Sequence, residues 1–262
     1  MAVLEATAVG APSGYVPLRA HGGDGACRAD CAHALGGALA GATLHEWASR
    51  QPSRRALHGR GVAYAVELPG CGAIVVRHSR HGGLLAPLTR DLFLPPTRAP
   101  DELATSLRLR DAGVPTPDVV AWLTYPAGPI FRRADVATRL VAAGRDLADA
   151  LAAPDRARGP DAPWIAATGA LLRALARAGA RHPDLNIKNV LLAPPSDAPD
   201  APPIAWVLDV DVVRFDDAGG AAVAAANWER FARSMAKWQR VHGLSIDDAE
   251  VRALRALALD AR

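Results

Sequence analysis

Lysine is almost missing from this chain of 262 residues: it stands only at Lys188 and Lys237, and 28 of the 30 basic residues are Arg. Together with the abundant Ala, that bias reflects genome composition rather than a role. It has one consequence. No Lys precedes position 188, so a cation that the first half presents to a phosphate has to be Arg. Cysteine is scarce too. Cys27, Cys31 and Cys71 are the full set, an odd and small number that provides no disulfide framework. Cys27 and Cys31, with His21 and His33 nearby, lack four ligands at a familiar zinc spacing. Reduced thiols in a cytoplasmic protein are the expectation. A strong excess of one charge is lacking as well. A net charge of +3 with dispersed Arg gives no case for a nucleic-acid partner. Finally, there is no long apolar run. The N-terminus has no basic region followed by an apolar core, so no signal peptide is expected. Residues 32–42 (AHALGGALAGA) are too short and too rich in Gly to span a bilayer, which takes about 20 residues. A soluble cytoplasmic chain is expected, free to rest on a membrane surface.

Half of the residues are hydrophobic, enough for a sizeable core, and the length fits one or two domains. Residues 1–45 are rich in Gly and Ala with weak periodicity, and read as a loosely ordered extension with one short helix. From about residue 54 the pattern changes. RALH, VAYAVELPG and CGAIVVRHSR read as three antiparallel strands with a hairpin turn at 68–72. PDELATSLRLRDAG (100–113) reads as a helix opened by Pro and Asp and closed by Gly113. VPTPDVVAWLTYP returns to strand. PWIAATGALLRALARAGA (163–180) is a long amphipathic helix. VLLA (190–193) and IAWVLDV (204–210) are strands joined by a proline-rich hairpin loop, and two helices end the chain. The expected class is α+β with two lobes. A small antiparallel-sheet lobe over 46–141 follows the extension, and a mainly helical lobe fills 142–262.

The stretch RHPDLNIKNVLL (181–192) sets an acid and two amides at the mouth of an apolar strand. Phosphoryl transfer needs such groups: a carboxylate to orient the acceptor hydroxyl and take its proton, a second carboxylate for magnesium, and an amide oxygen to complete the metal shell. Asp184 is followed five positions on by Asn189, then by the strand, and Asp209 ends the next apolar run. In that pattern Asp184 is the base, and Asn189 and Asp209 are magnesium ligands. The plain alternative is an Asx-rich turn before a strand. A carboxylate after so apolar a run as the one before Asp209 argues against it, because burial there is costly without an ion or hydrogen bonds.

The first half carries the matching parts. Gly59 and Gly61 lie between two strands, where glycines let backbone amides approach phosphate oxygens. Arg77 ends the third strand and Glu102 stands in the first turn of the following helix, so the two can pair as the phosphate-placing cation and its partner. Singly, each has an ordinary reading: a hairpin turn, a solvated strand end, a favourable charge at a helix N-terminus. All of them in this order are hard to obtain by coincidence.

Over residues 57–240 the chain resembles the lipopolysaccharide kinases that act on Kdo (3-deoxy-D-manno-octulosonic acid) or heptose of the inner core. The resemblance is carried by GRGVAYAVE, VVRHSRHGGLL, ELATSLRLRDAGVPTP, FRRADVATRLV, HPDLNIKNVLL and VLDVDVVRF. Arg77, Arg80, Gly82 and Gly83 resemble the Kdo-kinase branch more than the heptose branch. The resemblance implies a protein-kinase-like fold, ATP and Mg2+ as cofactors, and phosphate placed on the 4-hydroxyl of Kdo. The implied partner is a lipid A precursor bearing Kdo, with peripheral association at the cytoplasmic face of the inner membrane. It supports Asp184, Asn189, Asp209, Arg77 and Glu102 in the roles above. His81 stands where the family usually has a basic residue, and Asp209-Val210-Asp211 where it usually reads Asp-Phe-Asp. Arg80 and His81 are the candidates for acceptor recognition, although ordinary surface residues in an Arg-rich chain would look the same. The alternatives are another small-molecule kinase of this fold, of heptose or aminoglycoside type, and a catalytically inactive nucleotide-binding module.

Overall fold

The computed structural model describes residues 12–59, 61–80 and 91–260. They divide into two compact units, one of Met1–Ala104 with Asp118–Leu140, the other of Thr105–Pro117 with Val141–Arg262. A segment of the first half, 105–117, counts with the second unit.

The first unit is built on seven strands: β1 (Tyr15–Ala20), β2 (Gly23–Arg28), β3 (Arg55–His58), β4 (Val62–Leu68), β5 (Gly72–His78), β6 (Val119–Ala127) and β7 (Phe131–Arg139). Their order in the sheet is β1-β2-β6-β7-β5-β4-β3, antiparallel throughout. The β4–β5 hairpin pairs Leu68 with Gly72, the turn expected from LPGCG. On β5 the period of two is clean: Ile74 and Val76 are fully buried, while Val75 and Arg77 are only partly so. Helices α1 (Ala32–Ala38) and α2 (Leu44–Arg50) contribute Leu35, Leu44 and Ala48 to a core shared with Leu18, Leu68, Ile74, Val76 and Leu123. A capping box starts α2: Thr43 accepts from the Glu46 amide, and Glu46 accepts from the Thr43 amide at 3.1 Å.

The N-terminal segment corrects the reading of 1–45 as a loose extension. Its described part forms β1, β2, α1 and the start of α2, and β1 and β2 extend the sheet beyond β6. Glycine misled the reading because β2 uses it for contact. A Cβ on Gly25 would lie 1.9 Å from the Trp122 carbonyl oxygen, and one on Gly23 2.0 Å from that of Thr124. The cysteines need correcting too. Cys31 and Cys71 form a disulfide across 40 residues, with Cα atoms 5.0 Å apart, so they are not reduced thiols. Cys27 is free and buried, and burial pushes its thiol up to about 11.

Helix α3 (Ala99–Asp111) carries Glu102 in its first turn. The second unit adds α4 (Leu147–Ala152), α5 (Pro163–Arg177), α6 (Ala221–His242) and α7 (Asp248–Leu259). Its strands are short: β8 (Arg145–Asp146), β9 (Ala180–Arg181), β10 (Val190–Ala193), β11 (Ile204–Val207) and β12 (Arg214–Phe215). β10 pairs with β11 around the proline-rich loop, and also with β8; β9 pairs with β12. Leu171, Leu172 and Leu175 of α5 pack with Ile187, Val190, Val207, Phe231, Met235 and Leu254. The α5–α7 crossing is close, since a Cβ on Gly169 would sit 2.7 Å from that of Leu257. The class is α+β with a large antiparallel sheet, as expected. No described helix is long and apolar enough to cross a membrane.

Candidate active site

The loop between β9 and β10 carries Asp184 and Asn189. It is folded by its own amides. Asn186 accepts from the backbone N–H of Lys188 at 2.9 Å and of Asn189 at 3.2 Å, which caps the short 3-10 turn 187–189. Its side-chain amide donates to the Asp184 carbonyl at 3.0 Å, as does that of Asn189 at 3.0 Å. The five-residue spacing thus closes a ring between the acid and the second amide. Because Asn189 donates inward through Nδ2, its Oδ1 is left to ligate a cation. The backbone N–H of Leu208 donates to the Asn189 carbonyl at 2.8 Å, so the residue before Asp209 is tied to Asn189. Asp209 itself adopts a left-handed conformation, φ 59° and ψ 51°, at the start of a 3-10 turn. For a non-glycine residue that conformation is strained, and such strain gathers at functional sites.

Helix α6 holds this loop from behind through three residues at helical spacing. Asn227, 1% exposed, accepts from the His182 N–H at 2.9 Å and donates to the Ala180 carbonyl at 2.9 Å. Arg230 donates to the Asp184 carboxylate at 2.7 Å and to the Pro183 carbonyl at 3.0 Å. Ser234 accepts from the Ile187 N–H at 3.2 Å. His182 is buried and donates from Nε2 to the Leu208 carbonyl at 3.2 Å. Burial holds its pKa below the usual imidazole value, against the raising effects of that carbonyl and of Asp209 and Asp184. Lys188 leaves the loop on another side, bonded to Asp146 at 2.7 Å and Asp149 at 3.0 Å. The sequence reading assigned no role to His182, Lys188, Asn227, Arg230 or Ser234. A polar stripe at 227, 230 and 234 on an otherwise amphipathic helix was the available signal.

In the first unit Arg77 and Glu102 are paired, with Glu102 only 5% exposed. Gly59 donates its N–H to the Gly61 carbonyl at 3.1 Å, closing the turn between β3 and β4. Arg80 lies against that turn: a Cβ on Gly61 would meet its Cδ and Nε at 3.0 Å. A side chain at Gly61 would crowd the Arg80 stem. His81, Gly82 and Gly83 lie outside the described residues. Beside Arg77 on β5, His78 bonds Asp135 at 2.5 Å through Nδ1 and Asp91 at 3.0 Å through Nε2, and Arg133 also holds Asp91 at 2.8 Å. Burial opposes a charged ring there, but the two carboxylates outweigh it and raise the His78 pKa. No sequence motif marked this network.

Among the described residues no three His, Cys, Asp or Glu side chains gather to hold a metal unaided. Asn189 and Asp209 suit a magnesium ion instead, which takes one or two protein oxygens and completes its shell with phosphate and water.

A model of the lipopolysaccharide kinase (Kdo/WaaP) family matches residues 45–257. The chain belongs to this family. It is similar to the 3-deoxy-D-manno-octulosonic acid kinase of Vibrio vulnificus (strain YJ016), 29% identical over 200 residues that cover 75% of this chain and 78% of the relative. It is likewise similar to the 3-deoxy-D-manno-octulosonic acid kinase of Stenotrophomonas maltophilia (strain K279a), 34% identical over 186 residues and 68% of each chain. A solved structure of WaaP in complex with acyl carrier protein covers 79% of this chain and 78% of its own, at 17% identity and a TM-score of 0.49. Family membership makes the chain a phosphotransferase of lipopolysaccharide assembly.

Proposed function

We propose that the chain transfers the γ-phosphate of ATP, with magnesium, to a hydroxyl of Kdo in the lipopolysaccharide inner core, and that the 4-hydroxyl is the one phosphorylated. The observation that carries the reading is the Asp184–Asn189 ring, backed by family membership and by relatives named for this activity. ATP supplies the phosphoryl group, and magnesium screens its charge during transfer. Asp184 orients the acceptor hydroxyl and takes its proton as the oxygen bonds to phosphorus and ADP leaves. Arg230 fixes the carboxylate for that task. Asn189 and Asp209 hold the metal. Arg77, steadied by Glu102, takes the nucleotide's phosphates, with Gly59 and Gly61 offering a backbone that phosphate can approach. Arg80 and His81 remain candidates for the acceptor side. A lipid-borne acceptor places the protein peripherally at the cytoplasmic face of the inner membrane.

The test is purified protein with magnesium, labelled ATP and lipid A precursors with and without Kdo. Label should enter only the Kdo-bearing acceptor, and mapping should find it at the 4-hydroxyl. Label on a heptose-bearing acceptor alone, or nucleotide binding without transfer to any acceptor, refutes the reading.

A further inference from the structure

One face of α6 carries more positive charge than its structural bonds use. Arg230, Arg233, Lys237 and Arg240 recur at intervals of three, four and three, which aligns them in a stripe. They line a cavity of about 950 Å³ whose other wall is the catalytic loop, including Asp184 and Asn186. Arg230 is bound to Asp184, and Arg233 lies 3.9 Å from Glu229. Lys237 and Arg240 have no ion-pair partner among the described residues. Like charges one turn apart repel and weaken a helix. The stripe is therefore unfavourable for α6 alone and becomes favourable when an anion occupies the cavity.

We propose that this cavity is the acceptor subsite, taking the carboxylate- or phosphate-bearing sugar portion of an anionic acceptor. The inference rests on the kinase reading above and adds where the second substrate binds. Three features favour an acceptor over the nucleotide. Asp184 opens into the cavity, so a sugar held there presents a hydroxyl to the base. Asn189 and Asp209, the metal candidates that must face the nucleotide's phosphates, are not part of its lining. The volume suits a sugar or two, within the range of small-molecule sites. Arg233, Lys237 and Arg240 neutralise the anion, and Arg230 joins the subsite to the base as a positioning residue.

The test is the double variant Lys237→Gln, Arg240→Gln. Both side chains are exposed, so the fold should be kept. Kinetics with ATP and a water-soluble, deacylated Kdo-bearing lipid A backbone should show the acceptor KM raised about ten-fold or more, as for lost charge pairs at a binding site, with the ATP KM unchanged. An unchanged acceptor KM overturns the proposal. So does a parallel rise in both KM values, which would assign the cations to nucleotide. An effect seen only with acylated acceptor in anionic vesicles also overturns it, in favour of lipid headgroups. Calorimetric titration with free Kdo, run without ATP, decides the subsite independently of turnover. Binding by the parent that weakens ten-fold or more in the variant supports it, and equal binding, or none in the parent, refutes it. A parent that binds Kdo at this face yet phosphorylates no Kdo-bearing acceptor would sink the functional reading and leave the subsite standing.

Discussion

Replacing Asp184 by Asn separates chemistry from structure because the two effects differ widely in size. The carboxylate pairs with Arg230 at 2.7 Å, and the two side chains are 36% and 28% exposed. Asn keeps an oxygen that can accept the same guanidinium N–H, so within this partly solvated pair the charge is what is lost. Such a pair is worth about 0–1 kcal/mol after screening. For a chain of this length that shifts the melting temperature by no more than about 4 °C. Removing a positioned base slows transfer by roughly two to four orders of magnitude, about 3–5 kcal/mol in the barrier. The variant should therefore melt close to the parent in circular dichroism and bind ATP normally. In single-turnover transfer of labelled phosphate it should be at least about 100-fold slower. Transfer within about three-fold of the parent, with the melting temperature kept, would show that Asp184 is not the base. A fall of about 10 °C or more would show instead that the residue's chief work is structural. Arg230→Met gives the complementary case: the carboxylate stays but loses its tether, and transfer should slow by about ten-fold through misplacement.

Asp209→Asn should raise the magnesium concentration for half-maximal activity sharply, and overlapping metal titrations of variant and parent would return Asp209 to a structural role. Arg77→Ala should raise the ATP KM by about ten-fold or more while the acceptor KM stays, and Arg77→Lys should recover part of the loss because it restores charge without the bidentate geometry. An ATP KM unaltered in Arg77→Ala would refute the pairing's role in phosphate placement. His78 has a raised pKa in the folded state, so its ion pairs contribute stability fully below the unfolded value of about 6.5 and lose it as pH rises through the folded pKa. Melting temperature should therefore decline as pH is raised above about 6.5, and His78→Gln should flatten that decline; parallel curves would mean the network does not titrate there.

What the sequence disclosed follows from how local each signal is. The β4–β5 hairpin was legible because LPGCG sits between alternating apolar runs, and both the turn and the period of two are read over a few residues. Asp184 and Asn189 were legible for a similar reason: their ring closes over five positions, and Asn186 folds the loop from within. β1 and β2 were not legible. β1 pairs with β2, whose own pairing with β6 spans roughly a hundred positions, and the glycines that allow it resemble, in composition, those of a flexible tail. The Cys31–Cys71 bond failed in the same way, because pairing depends on where α1 and the 68–72 turn meet and not on spacing.

The loop that carries Asp184 and Asn189 shows the limit of motif reading more sharply. Its acid and amides are contiguous, but three of the groups that fix it, Asn227, Arg230 and Ser234, come from a helix more than forty positions away. In the sequence these polar residues alternate with Trp228, Phe231 and Met235, the pattern of an ordinary amphipathic helix with a solvated side. Burial separates the cases. Asn227 and Ser234 are enclosed and spend their polar atoms on the loop backbone. Continuing from Arg230, the same helix turns toward solvent and presents Arg233, Lys237 and Arg240. One helix thus joins two tasks, holding Asp184 in place and lining the cavity beside it. A change that rotated or shifted α6 would move Asp184 and the cationic stripe together, so the position of Asp184 and the charge around the cavity are set by the same packing of Trp228, Phe231 and Met235.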